Sequence, residues 1–145
     1  MRSFFLSRPH CFLGAHLFFW GSIFLAIYGY ASPLAGKEKN DCVLKELELA
    51  HAIKNREPVS KAQIFKVSDK RVYAFVRLDC RKFDGEAQLI FYKNGKRYLA
   101  LSEKGYPSDN FRTWAYVTAR KGDWKLELRI DGKVFGERIF VVTEK

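Results

Sequence analysis

Residues 123–130 alternate strictly between charged and hydrophobic side chains. The apolar residues are Trp124, Leu126, Leu128 and Ile130. The charged residues between them are Asp123, Lys125, Glu127 and Arg129. A period of two is typical of a half-buried β-strand, with its apolar side toward the core and its charged side toward water. The segment 111–119, which precedes a basic turn at 120–122, predicts a neighbouring strand.

Short segments of the same kind recur along the chain. We predict strands at 43–53, 62–67, 71–80, 86–93, 96–102, 111–119, 123–130 and 134–142. Asn94-Gly95 and Asp131-Gly132 predict tight hairpin turns, because these residue types tolerate the positive φ that such turns require.

Two of these segments depart from a simple half-buried strand pattern. In the segment 71–80, Tyr73 and Phe75 lie opposite the apolar face, which indicates that both faces of that strand are covered. The segment 43–53 alternates like a strand but is rich in residues that favour helices. We interpret it as a strand because the rest of the domain needs an edge partner. Pro58 then ends it, since proline cannot extend a hydrogen-bonded ladder.

The spacing of the turns indicates the fold class. Turn signals recur at short, regular intervals and bound seven or eight short strands, with no helix-length amphipathic pattern between them. This spacing is typical of an all-β protein, an antiparallel immunoglobulin-like β-sandwich. We expect the sandwich over residues 43–145, preceded by an N-terminal hydrophobic helix.

The segment 1–31 has the layout of an export or anchor segment. Arg2 and Arg8 precede an apolar run at 11–30, and Gly29-Tyr30-Ala31 offers small residues at the two positions that signal peptidase reads. An uncleaved anchor is the alternative, because about 20 apolar residues can also span a bilayer. Polar and small residues within the run favour cleavage. Residues 32–42 are small and polar and predict a linker.

Either alternative places the remaining chain outside the cytoplasm, in the periplasm or tethered to the inner membrane. In an oxidising compartment, Cys42 and Cys80 can form a disulfide. Closing a loop of this length would stabilise the fold by about 4 kcal/mol in the chain-entropy model. Two buried thiols are the alternative. No pair of cysteines has Cys-x-x-Cys spacing, so neither a zinc site nor a redox site is expected.

The chain is basic. Its 26 Lys and Arg residues outnumber 16 Asp and Glu residues, which leaves a net charge of +10. No basic run is longer than two residues, and charges scattered in this way usually form the solvated faces of strands. The functional alternative is attraction to an anionic glycan, a lipid headgroup or nucleic acid. Export argues against nucleic acid as the partner.

Few residues are suited to catalysis. His51 is the only histidine after residue 31, and no serine, cysteine or aspartate is spaced around it as a recognisable motif. Four acidic residues lie near predicted loops, namely Asp79, Asp84, Glu86 and Asp109. Glycosidase chemistry would require two of them to converge, one with a pKa raised by burial. We expect no catalytic residue, no metal and no cofactor.

Taken together in their order along the chain, several segments resemble a bacterial family known as domain of unknown function 2914. The matching segments are Asn55–Val59, Phe65, Val72–Phe75, Tyr92–Gly95, Phe111–Trp114, Gly122–Trp124 and Phe140–Val141. The resemblance covers roughly residues 48–142. It implies a small β-domain in envelope proteins, often behind a transmembrane segment, and it brings no established activity.

The chain departs from that family at two places. Ala50 stands where the family tends to have a cysteine, and Leu89-Ile90-Phe91 stands where it tends to have His-x-Trp. No role that depends on those polar groups is therefore expected here.

The most distinctive polar and aromatic residues are candidates either for a structural contact or for a binding face, and we favour the structural contact. They are Arg56, Glu57, Arg112, Trp114 and Tyr116. In the structural interpretation, Arg56 or Arg112 pairs with Glu57 and fixes an end of the sandwich, with Pro58 setting the turn. In the functional interpretation, Trp114 and Tyr116 stack on a sugar or a protein partner beside arginine.

These expectations define two functions. The first is a non-catalytic envelope module that offers a surface for protein–protein interaction. The alternative is a module that binds peptidoglycan or an acidic polysaccharide, and an enzyme using loop carboxylates is less favoured. The partner is accordingly an envelope protein or a glycan, with membrane contact through residues 11–30 if that segment is not cleaved.

Overall fold

Nine β-strands and one short 3₁₀ turn form the part of the chain that the computed structural model describes, residues 39–145. The strands are β1 (Asn40–Lys54), β2 (Glu57–Lys61), β3 (Ile64–Lys66), β4 (Arg71–Phe83), β5 (Glu86–Lys93), β6 (Lys96–Lys104), β7 (Ser108–Thr118), β8 (Gly122–Ile130) and β9 (Lys133–Thr143). Val67–Asp69 forms the 3₁₀ turn. Within this part of the chain, no helix has the length and apolar character needed to cross a membrane.

The predicted N-terminal hydrophobic helix, the signal peptide or anchor at 1–31 and the linker up to residue 38 lie outside the described residues. β1 begins at Asn40, so the C-terminal end of the predicted linker, 40–42, belongs to a strand.

The strands form two sheets. One has four strands in the order β2-β1-β4-β7, and the other has five in the order β3-β9-β8-β5-β6. All strand pairs are antiparallel except β3 with β9, which is parallel. The predicted antiparallel sandwich is therefore confirmed except at this pair. A short connection after β2 carries the chain from one sheet to the other, and β3 then runs in the same direction as β9.

The predicted strand count of seven or eight is wrong, because Pro58 predicts a break at the position where the structure has β2. Asn55 and Arg56 have φ values of 51° and 61°, and they form the turn of a β1–β2 hairpin. β2 contains Pro58, but it is the outermost strand of its sheet. Proline is tolerated there, since an edge strand has one side without a ladder partner.

The predicted core faces are confirmed. The alternate apolar residues of β4, β7 and β8 are buried between the sheets, and Trp124 is among the largest fully buried side chains. The Trp124 ring stacks on Phe140 at 5.6 Å between centroids, and its indole N–H donates to the Arg120 carbonyl at 2.9 Å. Trp124 therefore fixes the β7–β8 turn to the core.

Cys42 in β1 and Cys80 in β4 lie opposite each other in register and are joined by a disulfide. Of the two alternatives that the sequence left open, the structure therefore contains the bridge and not two buried thiols. The bridge connects neighbouring strands of the four-stranded sheet, near the end at which the described chain begins.

The end of the β1–β2 hairpin bends back across the outer face of the four-stranded sheet. Glu57 is in register with Lys54, whereas Arg77 is in register with Glu46, much earlier in β1. A straight strand would separate these positions by about 26 Å, yet the Glu57 carboxylate lies 2.6 Å from Arg77 Nη2. The bend accounts for Phe75, which is fully buried although it faces away from the core.

Candidate binding face

Glu57 connects the bent hairpin to β4 and β7. Its carboxylate accepts a hydrogen bond from Arg77 and lies 2.8 Å from Arg112 Nη1. Arg112 also donates from Nε to the Asn110 side-chain oxygen at 2.9 Å. Of the two arginines that the sequence offered as partners of Glu57, the structure therefore pairs Arg112 with it. Arg56 remains exposed in the hairpin turn.

The bent hairpin brings Arg56 to the edge of β7. There it lines a cleft of about 320 Å³, which we call the hairpin cleft, together with Arg112 and Trp114 from β7. Tyr106, Glu103 and Thr113 complete its lining. Three of the five predicted site residues thus meet at one cleft, although Arg56 and Trp114 are far apart in the sequence.

Exposed aromatic side chains surround this cleft. Trp114 is 41% exposed and Tyr106 is 50% exposed, and the Tyr106 ring packs edge-on against Phe111 at 5.0 Å. Tyr106 was not predicted as a site residue. Its position between Gly105 and Pro107, in a short loop, is the sequence signal that could have identified Tyr106 as an exposed aromatic residue.

Tyr116 lies on the same face of β7 as Trp114 but does not line the hairpin cleft. Its ring lies 5.6 Å from that of Tyr73, and the Arg71 guanidinium lies 4.5 Å from its centroid. Tyr116 therefore extends the aromatic surface along β7 away from the cleft.

A second cleft, of about 210 Å³, continues from the first into the gap between β6 and β7. The two clefts share Glu103, Thr113 and Trp114, and the second also reaches apolar residues such as Leu89 and Leu101. The Thr113 hydroxyl donates to the Glu103 carboxylate across the gap. The sandwich is therefore open along this side, with one polar contact across an apolar opening.

β7 is the longest edge strand among the described strands, and it contains neither proline nor lysine. Among the described strands, β2, β7, β3 and β6 lie at sheet edges. Natural edges are commonly protected by proline, by short length or by lysine. β2 contains Pro58, β3 has three residues and β6 carries lysine at both ends, whereas β7 has 11 residues and contains neither proline nor lysine.

The residues weighed for catalysis do not form a reactive site. His51 Nδ1 lies 3.5 Å from the Asp69 carboxylate, and its ring packs against Phe65 at 4.8 Å. Asp79 is half-buried and paired with Lys45, and the other three candidate acids, Asp84, Glu86 and Asp109, are exposed. None of the four provides the buried acid that glycoside hydrolysis requires. Within residues 39–145, no group of three or more His, Cys, Asp or Glu side chains could hold a metal ion.

Glu127 is the exception to the prediction that the charged side of β8 faces water. Glu127 is only 4% exposed on the outer face of the five-stranded sheet. It accepts hydrogen bonds from Tyr92 at 3.1 Å, from Arg129 at 2.8 Å and 3.0 Å, and from Lys125. The alternation pattern assigns the correct face but does not show that long neighbouring side chains cover a residue in a central strand.

The residues around Glu127 keep its carboxyl group ionised, so it is not suited to donate a proton. Burial alone would raise the pKa of this carboxyl, but the hydrogen bonds from Lys125, Arg129 and Tyr92 outweigh burial and lower it to about 2. Glu127 also lines a cleft of about 400 Å³ with Tyr92, Lys125 and Ile139. Because the acid stays ionised, this cleft does not offer a general acid near neutral pH.

We predict that Glu57→Gln loosens the hairpin that forms the cleft. The substitution leaves Arg77 and Arg112 without their shared carboxylate, and Arg77 Nε is already a buried donor with no partner among the described residues. Because Glu57 is partly exposed, we expect a loss of about 1 kcal/mol in the free energy of unfolding. Amide hydrogen exchange of residues 51–61 should accelerate as well.

Glu48→Gln is a suitable control, because Glu48 lies on β1 and forms no ion pair within residues 39–145. Unchanged exchange at residues 51–61 in Glu57→Gln, or equal acceleration in Glu48→Gln, would show that Glu57 does not hold the hairpin in place.

Comparison with known proteins bears on the fold. No family model and no curated protein matches the chain. Among solved structures, an immunoglobulin-like protein from Pseudomonas aeruginosa is similar, with 13% sequence identity and a TM-score of 0.55. The match covers 73% of this chain and 99% of that protein. Together with the two packed sheets, this likeness shows that residues 39–145 adopt an immunoglobulin-like β-sandwich fold.

Proposed function

We propose that this chain is a non-catalytic envelope module that binds another protein through the hairpin cleft and the adjoining edge of β7. The observation that carries the proposal is the group of exposed aromatic side chains, Trp114, Tyr116 and Tyr106, beside Arg56 and Arg112. Tryptophan, tyrosine and arginine dominate the binding energy of protein interfaces, because they bury large areas and keep a polar group for hydrogen bonding.

Several features prepare this face for a partner. Arg112 is fixed by Glu57 and Asn110, so little side-chain entropy is lost when a ligand packs against it. The outer edge of β7 offers backbone N–H and C=O groups to an added strand. The apolar opening around Leu101 can accept a side chain from such a strand.

The envelope location rests on three supports. The disulfide between Cys42 and Cys80 is of the kind that persists in oxidising compartments such as the periplasm. The segment 1–31 predicts a signal peptide or an anchor. The resemblance to the family of domain of unknown function 2914 implies the same location. We therefore propose an extracytoplasmic module, secreted into the periplasm or tethered to the inner membrane.

Photo-crosslinking in cells tests the protein-binding proposal. A photoreactive amino acid at position 106 lies at the hairpin cleft, and one at position 139 serves as the control, because Ile139 is exposed on the outer face of the other sheet. We expect one discrete protein adduct from position 106 and none of the same size from position 139. Trp114→Ala should lower the yield of that adduct about tenfold, in line with a loss of about 1–2 kcal/mol at an aromatic anchor.

Equal adducts from both positions, or an adduct that persists fully in Trp114→Ala, would refute a protein interface at this cleft.

Glycan binding at the same face is the second candidate. Arg71 lies over the Tyr116 ring beside exposed Trp114, and flat aromatic rings with cations suit acidic sugar rings as well as proteins. Retention of the full-length chain on insoluble peptidoglycan, lost in Trp114→Ala and accompanied by no protein adduct, would favour this candidate over the first.

A further inference from the structure

One end of the sandwich gathers basic side chains that are scattered along the sequence. This end, which we call the basic end, comprises the β3–β4 connection (66–71), the β5–β6 hairpin (93–97), the β7–β8 turn (119–122) and the residues after β9 (144–145). These four segments carry three, three, two and one Lys or Arg residues. Folding therefore brings nine basic side chains to one end, although no basic run in the sequence exceeds two.

The connections between strands place these segments together. The β3–β4 connection and the β7–β8 turn each join one sheet to the other at this end, and the Ala119 N–H donates to the Lys70 carbonyl at 3.0 Å. The β5–β6 hairpin contacts the start of β8, because Asn94 N–H donates to the Asp123 carbonyl at 2.7 Å. The basic side chains thus surround a single end of the domain.

Few acids oppose this charge. Only Asp69, Asp123 and Glu144 lie within or beside these segments, which leaves a side-chain charge of six positive units out of the net eight carried by residues 39–145. Glu144 is paired with Lys121 at 2.8 Å. Asp69 accepts the Lys66 backbone N–H at 2.7 Å.

Most of the basic side chains at this end are available to a partner. Within the described part of the chain, only one ion pair includes a basic side chain of the basic end, and it is the pair between Lys121 and Glu144. Lys96, Arg97 and Arg120 are all exposed. Tyr98, which follows Arg97 in β6 and packs edge-on against Trp124 at 5.0 Å, is 41% exposed.

The opposite end of the domain has no such excess. Its turns and strand termini, at 39–41, 82–86, 103–109 and 129–133, carry five basic and six acidic side chains. The described chain begins at this opposite end, where the Asn40 amide donates to Asp131 at 2.6 Å.

We propose that the basic end is a second binding site, separate from the hairpin cleft, and that it binds an acidic polysaccharide. Unpaired cations spread over several turns match the repeated carboxylates of a flexible polyanion, and the exposed Tyr98 ring offers a surface for a sugar face. Binding to a membrane surface is an alternative outcome of the experiment below. The proposal does not depend on the protein-binding function.

Binding of polygalacturonate, a linear polymer of carboxylated sugars, tests the proposal on the full-length chain in a non-ionic detergent. The basic-end variant combines Lys96→Glu, Arg97→Glu and Arg120→Glu. A control variant with the same change in net charge combines Lys82→Glu, Lys104→Glu and Lys133→Glu at the opposite end. Circular dichroism and thermal unfolding of both variants establish that each remains folded.

We expect the unsubstituted chain and the control variant to bind polygalacturonate with an affinity that falls steeply as salt is raised. The basic-end variant should bind at least about tenfold more weakly, because three attractions become repulsions. Neutral dextran should not bind. Trp114→Ala should leave this binding unchanged, which separates the basic end from the hairpin cleft.

Three results would overturn the proposal. The first is no binding of polygalacturonate at low salt. The second is equal weakening in both triple variants, which would show a response to net charge and not to the basic end. The third is preferential binding, through the basic end, to mixed micelles containing phosphatidylglycerol or to a DNA duplex, since a lipid or nucleic-acid partner would then replace the polysaccharide.

Discussion

Replacing Cys42 and Cys80 by alanine should lower the free energy of unfolding by about 4 kcal/mol. The disulfide closes a loop between residues separated by 38 positions. In the unfolded chain this closure removes conformational entropy, so the unfolded state becomes less favourable and the native state gains relative stability. The native pairing of β1 with β4 does not require the bond, because the two strands are also joined by a long ladder of backbone hydrogen bonds.

Urea unfolding followed by tryptophan fluorescence measures this effect. The double variant should unfold at a lower urea concentration than the unsubstituted chain, with a slope that is unchanged or larger because its unfolded state is less compact. The unsubstituted chain in the presence of a reductant is the control and should approach the midpoint of the variant. A difference below about 1 kcal/mol would mean that the bridge contributes little beyond the strand pairing.

The elements that were predicted correctly are those whose local pattern and tertiary role agree. The alternation at 123–130 and the hairpin turns at Asn94-Gly95 and Asp131-Gly132 need only nearby residues to be recognised, and the structure has each of them. β2 was missed because Pro58 indicates a break, and whether proline is tolerated depends on lying at the edge of a sheet. That position is a property of the assembled sheet and not of the segment.

The candidate site also depends on the assembled structure and not on local sequence patterns. Arg56, Arg112 and Trp114 were each recognised as unusual residues, but their meeting at one cleft depends on the bend of the β1–β2 hairpin across the sheet. The basic end is a second example, since the connections between sheets gather charges that are dispersed in the sequence. Contacts between residues distant in sequence determine both surfaces, and local periodicity carries no information about them.

Glu127→Gln should cost about 2 kcal/mol in the free energy of unfolding near neutral pH, and the cost should disappear in acid. The pKa of Glu127 is lowered from its ordinary value of 4.5 to about 2 in the folded protein. A depressed folded-state pKa contributes stability that is present above the unfolded-state value and is lost as the pH falls through the folded-state value. The charge of Glu127 therefore stabilises the fold fully above about pH 5, and this contribution is lost between about pH 4.5 and pH 2.

The magnitude follows from the shift and from the exposure of the partners. A shift of this size corresponds to about 3 kcal/mol at about 1.36 kcal/mol per unit. Lys125 and Arg129 are 38% and 33% exposed, so solvent screening reduces their contribution and about 2 kcal/mol remains. The glutamine side chain keeps the shape of the acid, but it leaves Arg129 without its carboxylate partner and leaves Lys125 with only the more distant Glu137.

Unfolding by urea at a series of pH values between 7 and 2 tests this expectation. The stability difference between the unsubstituted chain and Glu127→Gln should narrow as the pH falls and should approach zero near pH 2. Glu137→Gln is the matched control, because Glu137 is half exposed and lies 3.6 Å from the same Lys125; its cost should stay below about 0.5 kcal/mol at every pH. Parallel pH profiles for the unsubstituted chain and Glu127→Gln would show that the buried carboxylate is not held ionised by its neighbours, and the outer face of the five-stranded sheet would then lack the charged cluster that defines it.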